Sequence, residues 1–348
     1  MKIAVVGATG LVGREMLTVL AERGFAQEEI IAAASPKSVG KQIDFAGRRL
    51  TVVSVEEAIA AHPRYAIFSA GAAASRQYAP LFAAAGTTVI DNSSAWRKDP
   101  SVPLVVPEVN IDSVYRIEPI DSIDSISSIK PINSISPIIA NPNCSTIQMV
   151  LALSALQREY GIRRLVIATY QSITGTGIKA VRQLEAEEQG ITPTEQAYVY
   201  PIHRNLFPHG GDFQPDGYTT EEQKLVDETR KIFADPSIQI TATVVRVPVV
   251  GGHSEAVNVE LRRDYDLDEV RTLIANTQGV ILYDDPASNK YPMPILAHHR
   301  DEVWVGRLRR DFSQPNSLNL WVVADNIRKG AATNAIQIME CLEMKNEK

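Results

Sequence analysis

Cys144 is the residue with the sharpest chemistry. It stands in Asn141-Pro142-Asn143-Cys144-Ser145-Thr146, where a turn gives way to a helix. A thiol at a helix N-terminus is expected to have a lowered pKa and more thiolate, which makes it a candidate nucleophile. The competing reading is a buried, inert cysteine. Cys341 takes that second reading, since it lies mid-helix with no activating neighbour in sequence. A second constellation lies at the start of the chain. Gly7, Gly10 and Gly13 follow an apolar run, Lys2–Val6, and open a helical pattern. Such a turn lets backbone approach a pyrophosphate and aims free helix amides at it. The alternative is a tight turn with close helix–strand packing. After the second apolar run the chain reads Ala34-Ser35-Pro36-Lys37-Ser38, with no acid for a ribose diol. Lys37 with its flanking hydroxyls suits the 2′-phosphate of NADP, against the alternative of a solvated loop lysine. A cysteine beside a nicotinamide implies oxidation of an aldehyde through a thiohemiacetal to a thioester, which phosphate or water then cleaves. That reaction needs a base, a stabiliser for the acyl oxygen and an anion site.

The elements that must hold these groups are legible as alternating strands and helices. Lys2–Val6, Ile30–Ala34, Tyr65–Ser69 and Thr87–Ile90 read as short buried strands, with helices over Leu11–Arg23 and Ala72–Ala85. This alternation predicts a parallel sheet. Beyond Cys144, helices are expected at Ile147–Tyr160, 178–188, 220–233 and 328–344, and strands at Arg164–Gln171, 240–249, 255–262, 303–310 and 318–324. So strand-rich a block suggests a mainly antiparallel sheet. Between the halves, isoleucine recurs every third residue from Ile117 to Ile138, a period that fits neither helix nor strand. Residues 115–137 therefore read as a low-complexity insert.

Composition bounds the class. The 348 residues predict about two domains. A net charge of −6 argues against nucleic acid as the main partner. Two cysteines exclude a disulfide scaffold, and no apolar run is long enough to span a bilayer. A cytoplasmic enzyme is the expectation, with no metal site.

The residues above belong to motifs spread over the chain: GATGLVG from Gly7, DNSSAWR from Asp91, VPLVVPEVN from Val102, NPNCSTIQM from Asn141, TYQSITGTG from Thr169, TEEQK from Thr220, RVPVVGGHSE from Arg246, VGRLRRD from Val305 and ADNIRKGAATNA from Ala324. Together they resemble the aspartate-semialdehyde dehydrogenase family. The resemblance implies an α/β protein with a Rossmann-like NADP-binding domain, residues 1–142. It implies an α+β catalytic and dimerisation domain, 143–325, and a C-terminal helix, 326–348, returning to the first. That architecture is similar to glyceraldehyde-3-phosphate dehydrogenase. The implied reaction interconverts L-aspartate 4-semialdehyde, phosphate and NADP⁺ with L-aspartyl 4-phosphate and NADPH, on the route to lysine, methionine and threonine, in a homodimer.

By the same resemblance Cys144 is the nucleophile and His253 the general acid/base. His253 follows Gly251-Gly252 and is expected to project into a cleft, where imidazole suits proton transfer near neutral pH. Arg246 would fork onto the substrate carboxylate, and Gln171 would orient the substrate at the thiol. Glu221 would meet the substrate amino group. Arg97 and Lys224 would bind phosphate, with Asn143 assisting. Glu222 competes with Glu221, and spacing to Lys224 favours the latter. Taken alone, Glu221 and Lys224 also read as a surface ion pair on one helix face. Cofactor contacts are implied at Gly7, Thr9, Gly10, Leu11 and Val12, at Ser35, Lys37 and Ser38, and at Gly71. Thr174 and Gly175 would lie under the nicotinamide and Asn326 would meet its carboxamide, although Asn326 also reads as an N-cap. The sequence departs from the family at residues 115–137, a stretch that is shorter in relatives, and at Lys37, where many relatives carry arginine. The nearest rival is N-acetyl-gamma-glutamyl-phosphate reductase, whose blocked substrate gives Glu221 no ammonium partner. A rival of another class is a non-catalytic NADP-binding protein.

Overall fold

Strands that are apolar on both faces belong inside a parallel sheet covered by helices. The computed structural model, which describes residues 1–115 and 135–346, builds such a sheet first. In chain order it has β1 (Lys2–Val6), α1 (Leu11–Leu20), β2 (Glu29–Ala33), β3 (Gln42–Phe45), β4 (Arg48–Thr51), α2 (Val55–Ala60) and β5 (Tyr65–Phe68). There follow α3 (Ala72–Ala84), β6 (Thr88–Asp91), α4 (Pro107–Asn110) and β7 (Ile138–Ala140). The sheet order is β2-β1-β5-β6-β7, every pair parallel. The order reverses beside β1, so the carboxyl ends of β1 and β5 open the crevice where such sheets take ligands.

The second half carries α5 (Cys144–Tyr160), β8 (Ile162–Ser172), α6 (Ile178–Glu188), α7 (Thr220–Ile232), β9 (Gln239–Val247) and β10 (His253–Leu261). It continues with α8 (Leu267–Ala275), β11 (Val280–Leu282), α9 (Pro294–Ala297), β12 (Val303–Arg310), β13 (Ser317–Ala324) and α10 (Thr333–Asn346). Its sheet runs β11-β12-β13-β10-β8-β9 and is mixed: the three inner junctions are antiparallel and the two outer ones parallel.

Two large cores hold the described fold, with a smaller cluster of Ile173, Ala180, Leu184 and Ile202 beside them. Ile3, Val5 and Ile67 pack with Met16 and Leu20 of α1 and with Ile336, Met339 and Leu342 of α10. On the other face, Val6, Phe68 and Phe82 are continuous through Leu151 and Leu153 of α5 with Leu165, Val257 and Leu320 of the second sheet. Helix α5 is buried almost all round, as a shared central helix must be.

Several expectations need correction. The first helix ends at Leu20 and passes into a wider turn, Ala21–Phe25, because Arg23 and Gly24 leave helical geometry. Helix α5 begins at Cys144, three residues before the apolar pattern suggests, because Asn143 caps it. The last helix is preceded by a wide turn, Arg328–Ala332. The isoleucine tract lies outside the described residues from 116 to 134. Its two ends do not: Tyr115 and Ile135 form an antiparallel bridge, and the Ser136 amide donates to the Val114 carbonyl at 2.9 Å.

Candidate active site

Both sheets deliver their candidate residues from one end. Gly7 follows β1, Asn92 to Arg97 follow β6, and Asn141 to Cys144 follow β7. In the second sheet Gln171 stands one residue from the end of β8 opposite Arg246 of β9, and His253 starts β10 opposite Ala324, just before Asn326.

The glycine turn separates internal demands from external ones. A Cβ on Gly7, at φ +91°, would sit 2.3 Å from the Ser69 carbonyl oxygen, and one on Gly13 would sit 2.2 Å from that of Gly7. Packing alone therefore demands those two glycines. A Cβ on Gly10 would meet nothing closer than 3.4 Å. Helix α1 also has no side-chain cap. An uncapped helix start beside an open glycine is what a pyrophosphate requires. Val12 reaches the central cavity, and Lys37 stands exposed on a short turn, Pro36–Ser38. Ser35 caps no backbone from that turn, Ser38 is buried, and Gly71, at φ +82°, starts α3.

Cys144 opens α5 and lines a cavity of about 230 Å³ together with Arg97, Asn143, Glu221, Lys224, Thr174, Gly175 and Asn326. The cap is doubly held: the Asn143 side-chain oxygen accepts from the Ser145 amide at 3.0 Å, and its amide nitrogen donates to Glu221 at 2.6 Å. Glu221 also takes Lys224 at 2.7 Å. This ion pair faces the cavity wall and is not merely a surface pair. Burial raises the Glu221 carboxyl, but Lys224 and the Asn143 amide outweigh it and hold it below the ordinary value. Glu222 drops out as its rival, because it closes a capping box with Thr219 and accepts from the Val244 amide.

The thiol itself departs from expectation. Burial and the nearby Glu221 charge push Cys144 up to about 12, despite Arg246, Arg97 and the helix amide pulling down. His253 departs in the other direction. Its ring is fully buried under the Thr174–Gly175 turn instead of standing in the cleft, and a Cβ on Gly175 would meet it at 3.1 Å. Burial, helped by Arg246, lowers it to about 3. The His253 Nδ1 accepts from the Ser172 amide at 3.0 Å, so the neutral ring carries its proton on Nε2, which has no partner among the described residues. Both shifts favour the neutral forms, a thiol at Cys144 and an uncharged imidazole at His253.

Around them, Gln171 donates to the Ser145 hydroxyl at 2.9 Å and Arg246 to the Ser172 carbonyl at 2.7 Å. Asn326 accepts from the Thr174 hydroxyl at 2.9 Å, and its buried amide nitrogen has no partner among the described residues. It caps no helix; Asp325 does that work for the Ile327 and Arg328 amides. Sequence reading missed Glu228, which touches Arg97 and Asn143, and Gly330, where a Cβ would strike that of Cys144 at 2.8 Å. The Glu221-to-Glu228 helical spacing carried a signal for the first; nothing local marked the second.

These residues fit a nicotinamide dinucleotide: the open glycine turn would take its phosphates, and the orphaned Asn326 amide would take its carboxamide. No described helix is long and apolar enough to cross a membrane. Comparison with known proteins points the same way. Two family models match, one described as the NAD binding domain of semialdehyde dehydrogenase over residues 2–117, the other as its dimerisation domain over 153–329. An aspartate-semialdehyde dehydrogenase of Aquifex aeolicus is 47% identical over 98% of this chain and 97% of its own length. One of Legionella pneumophila is 46% identical over 99% and 96%. The solved structure of aspartate semialdehyde dehydrogenase II from Vibrio cholerae, complexed with ASA, superposes with a TM-score of 0.88 at 42% identity, covering 99% of this chain and 98% of that one.

Proposed function

The chain belongs to the aspartate-semialdehyde dehydrogenase family, and from that premise we propose that it interconverts L-aspartate 4-semialdehyde, phosphate and NADP⁺ with L-aspartyl 4-phosphate and NADPH. The single observation that carries the reading is the cavity that Cys144, at the start of a buried helix, lines together with Arg97 and the Lys224–Glu221 pair.

When bound, the nicotinamide cofactor supplies the hydride acceptor. In the reading the Cys144 sulfur adds to the aldehyde carbon while the thiol proton passes to the aldehyde oxygen, giving a thiohemiacetal to whose oxygen the His253 Nε2–H donates a hydrogen bond. After oxidation the carbon is held as a thioester on Cys144. Arg97 and Lys224 hold phosphate, whose oxygen attacks the thioester and releases the thiol. Arg246 takes the substrate carboxylate and Glu221 its ammonium, a pairing that favours a free amino acid over the N-acetylated substrate of the rival reductase. Gln171, anchored on Ser145, orients the aldehyde. NADP is preferred over NAD in this reading because no acid follows β2 and Lys37 stands exposed there. The reading includes a homodimer through the region matched by the dimerisation model. It also includes a cytoplasmic setting, which suits a mechanism through a free thiol.

The test is NADP⁺ reduction at 340 nm with L-aspartate semialdehyde, with and without phosphate, in wild type and Cys144→Ala. Phosphate-dependent turnover that falls by at least about 10³-fold in the variant is expected. Turnover of N-acetylglutamate semialdehyde alone would move the assignment to the rival.

A further inference from the structure

Helix α7 carries more than the two ligands already assigned to it. Glu221, Lys224, Glu228 and Lys231 recur at three- and four-residue spacing, so they share one face. Glu228 is buried at 3% exposure and divides its carboxylate between two site residues. One oxygen accepts from Arg97 Nη1 at 3.1 Å, the other from the Asn143 backbone amide at 2.6 Å. Arg97 is pinned further by the Asn141 and Asn92 carbonyls, each at 2.9 Å. One turn on, Lys231 grips the carbonyls of Arg97, Asp99 and Val102 at 2.6–2.8 Å. Arg97, so held at all three of its nitrogens, lines both the cavity that Cys144 opens into and a neighbouring one shared with Lys224 and Glu228.

Resting on the reading above, we propose that Glu228 is a positioning residue: it fixes the Arg97 guanidinium against the residue preceding Cys144, so that phosphate arrives aligned with the thioester carbon. It touches neither substrate nor phosphate and acts through Arg97. Its effect therefore belongs to the phosphate step and not to hydride transfer.

The experiment separates the two half-reactions in Glu228→Gln. NADPH formed per site in a rapid-mix burst without phosphate reads hydride transfer; steady-state rate against phosphate reads the second step. The expected result is a KM for phosphate raised about 10-fold or more, with burst rate and aldehyde KM within about 2-fold of wild type. In the Arg97→Gln background, Glu228→Gln should change the phosphate KM by less than about 2-fold, since the route through Arg97 is already cut. Burst and phosphate step falling together, or equal effects in both backgrounds, would overturn the proposal. If Glu228→Gln does not fold, the neutral pair Arg97→Gln/Glu228→Gln is made, because removing both charges avoids a stranded one. Its folding, by near-ultraviolet circular dichroism, would support the coupling; its failure to fold would make Glu228 a general structural group and sink the proposal. Wild type without phosphate-dependent turnover would instead sink the functional reading.

Discussion

At the residue scale the resting chemistry is set by burial. Helix-start amides and two arginines favour a Cys144 thiolate, yet desolvation with Glu221 behind it wins. A thiol near 12 is about 10⁻⁴ ionised at pH 8. Alkylation of Cys144 by iodoacetamide should then rise about tenfold per pH unit from pH 8 to 11, with no plateau near 8.5. Adding NADP⁺ should speed it at fixed pH, because a cation brought to the cavity opposes the Glu221 charge. Mass-spectrometric quantitation of modified Cys144 gives the rate. A plateau near pH 7 without cofactor would show that a thiolate–imidazolium pair exists at rest. The same burial explains why the imidazole at 253 waits neutral, with its proton on the nitrogen nearest the covering turn.

At the scale of elements, the glycine turn before α1 makes the most direct prediction. Gly13→Ala drives a methyl into the Gly7 carbonyl, within the hard core of the turn. A loss of about 2–3 kcal/mol, read as a lowered midpoint in denaturant titration, is expected. Gly10→Ala has room inside the chain, so stability should change by less than about 1 kcal/mol while NADP affinity falls, measured by fluorescence titration. Equal stability losses would mean that the turn is a packing device alone. This contrast also marks the limits of sequence. The strand–turn–helix unit and the motifs around Cys144 and Arg246 were legible because their chemistry is local. The β3–β4 hairpin, α2, and the α8–β11 unit beside β12 were not foreseen, since short elements are held by neighbours more than by their own pattern. Burial was equally invisible: no spacing in the sequence says that Gly175 roofs His253, or that Glu228 reaches back to Asn143. Those contacts join residues 78 and 85 positions apart, the first at one end of the second sheet and the second between α7 and the turn before α5.

At the scale of the whole molecule, the two halves are one packed body around α5, closed by the segment that returns from β13 to the first sheet. Arg328 in that segment pairs with Glu15, Glu22 and Asp301, and buried Lys329 pairs with Glu108 at 2.7 Å. Both ties join described residues that lie outside 115–137. The stem of that stretch, the Tyr115–Ile135 bridge, sits at the amino end of β7, whereas Cys144 follows its carboxyl end. Bridged residues lie about 5 Å apart, a gap that a two-residue turn closes in an antiparallel pair. Replacing residues 116–134 by Asn-Gly should therefore leave the thermal midpoint within about 3 °C, the oligomeric state by light scattering unchanged, and the phosphate-dependent rate within about 2-fold. A tenfold loss of rate at unchanged stability would tie the tract to the reaction. Loss of the oligomer would instead make it part of the assembly surface, and either result would end the view that the isoleucine repeat is a tolerated appendage.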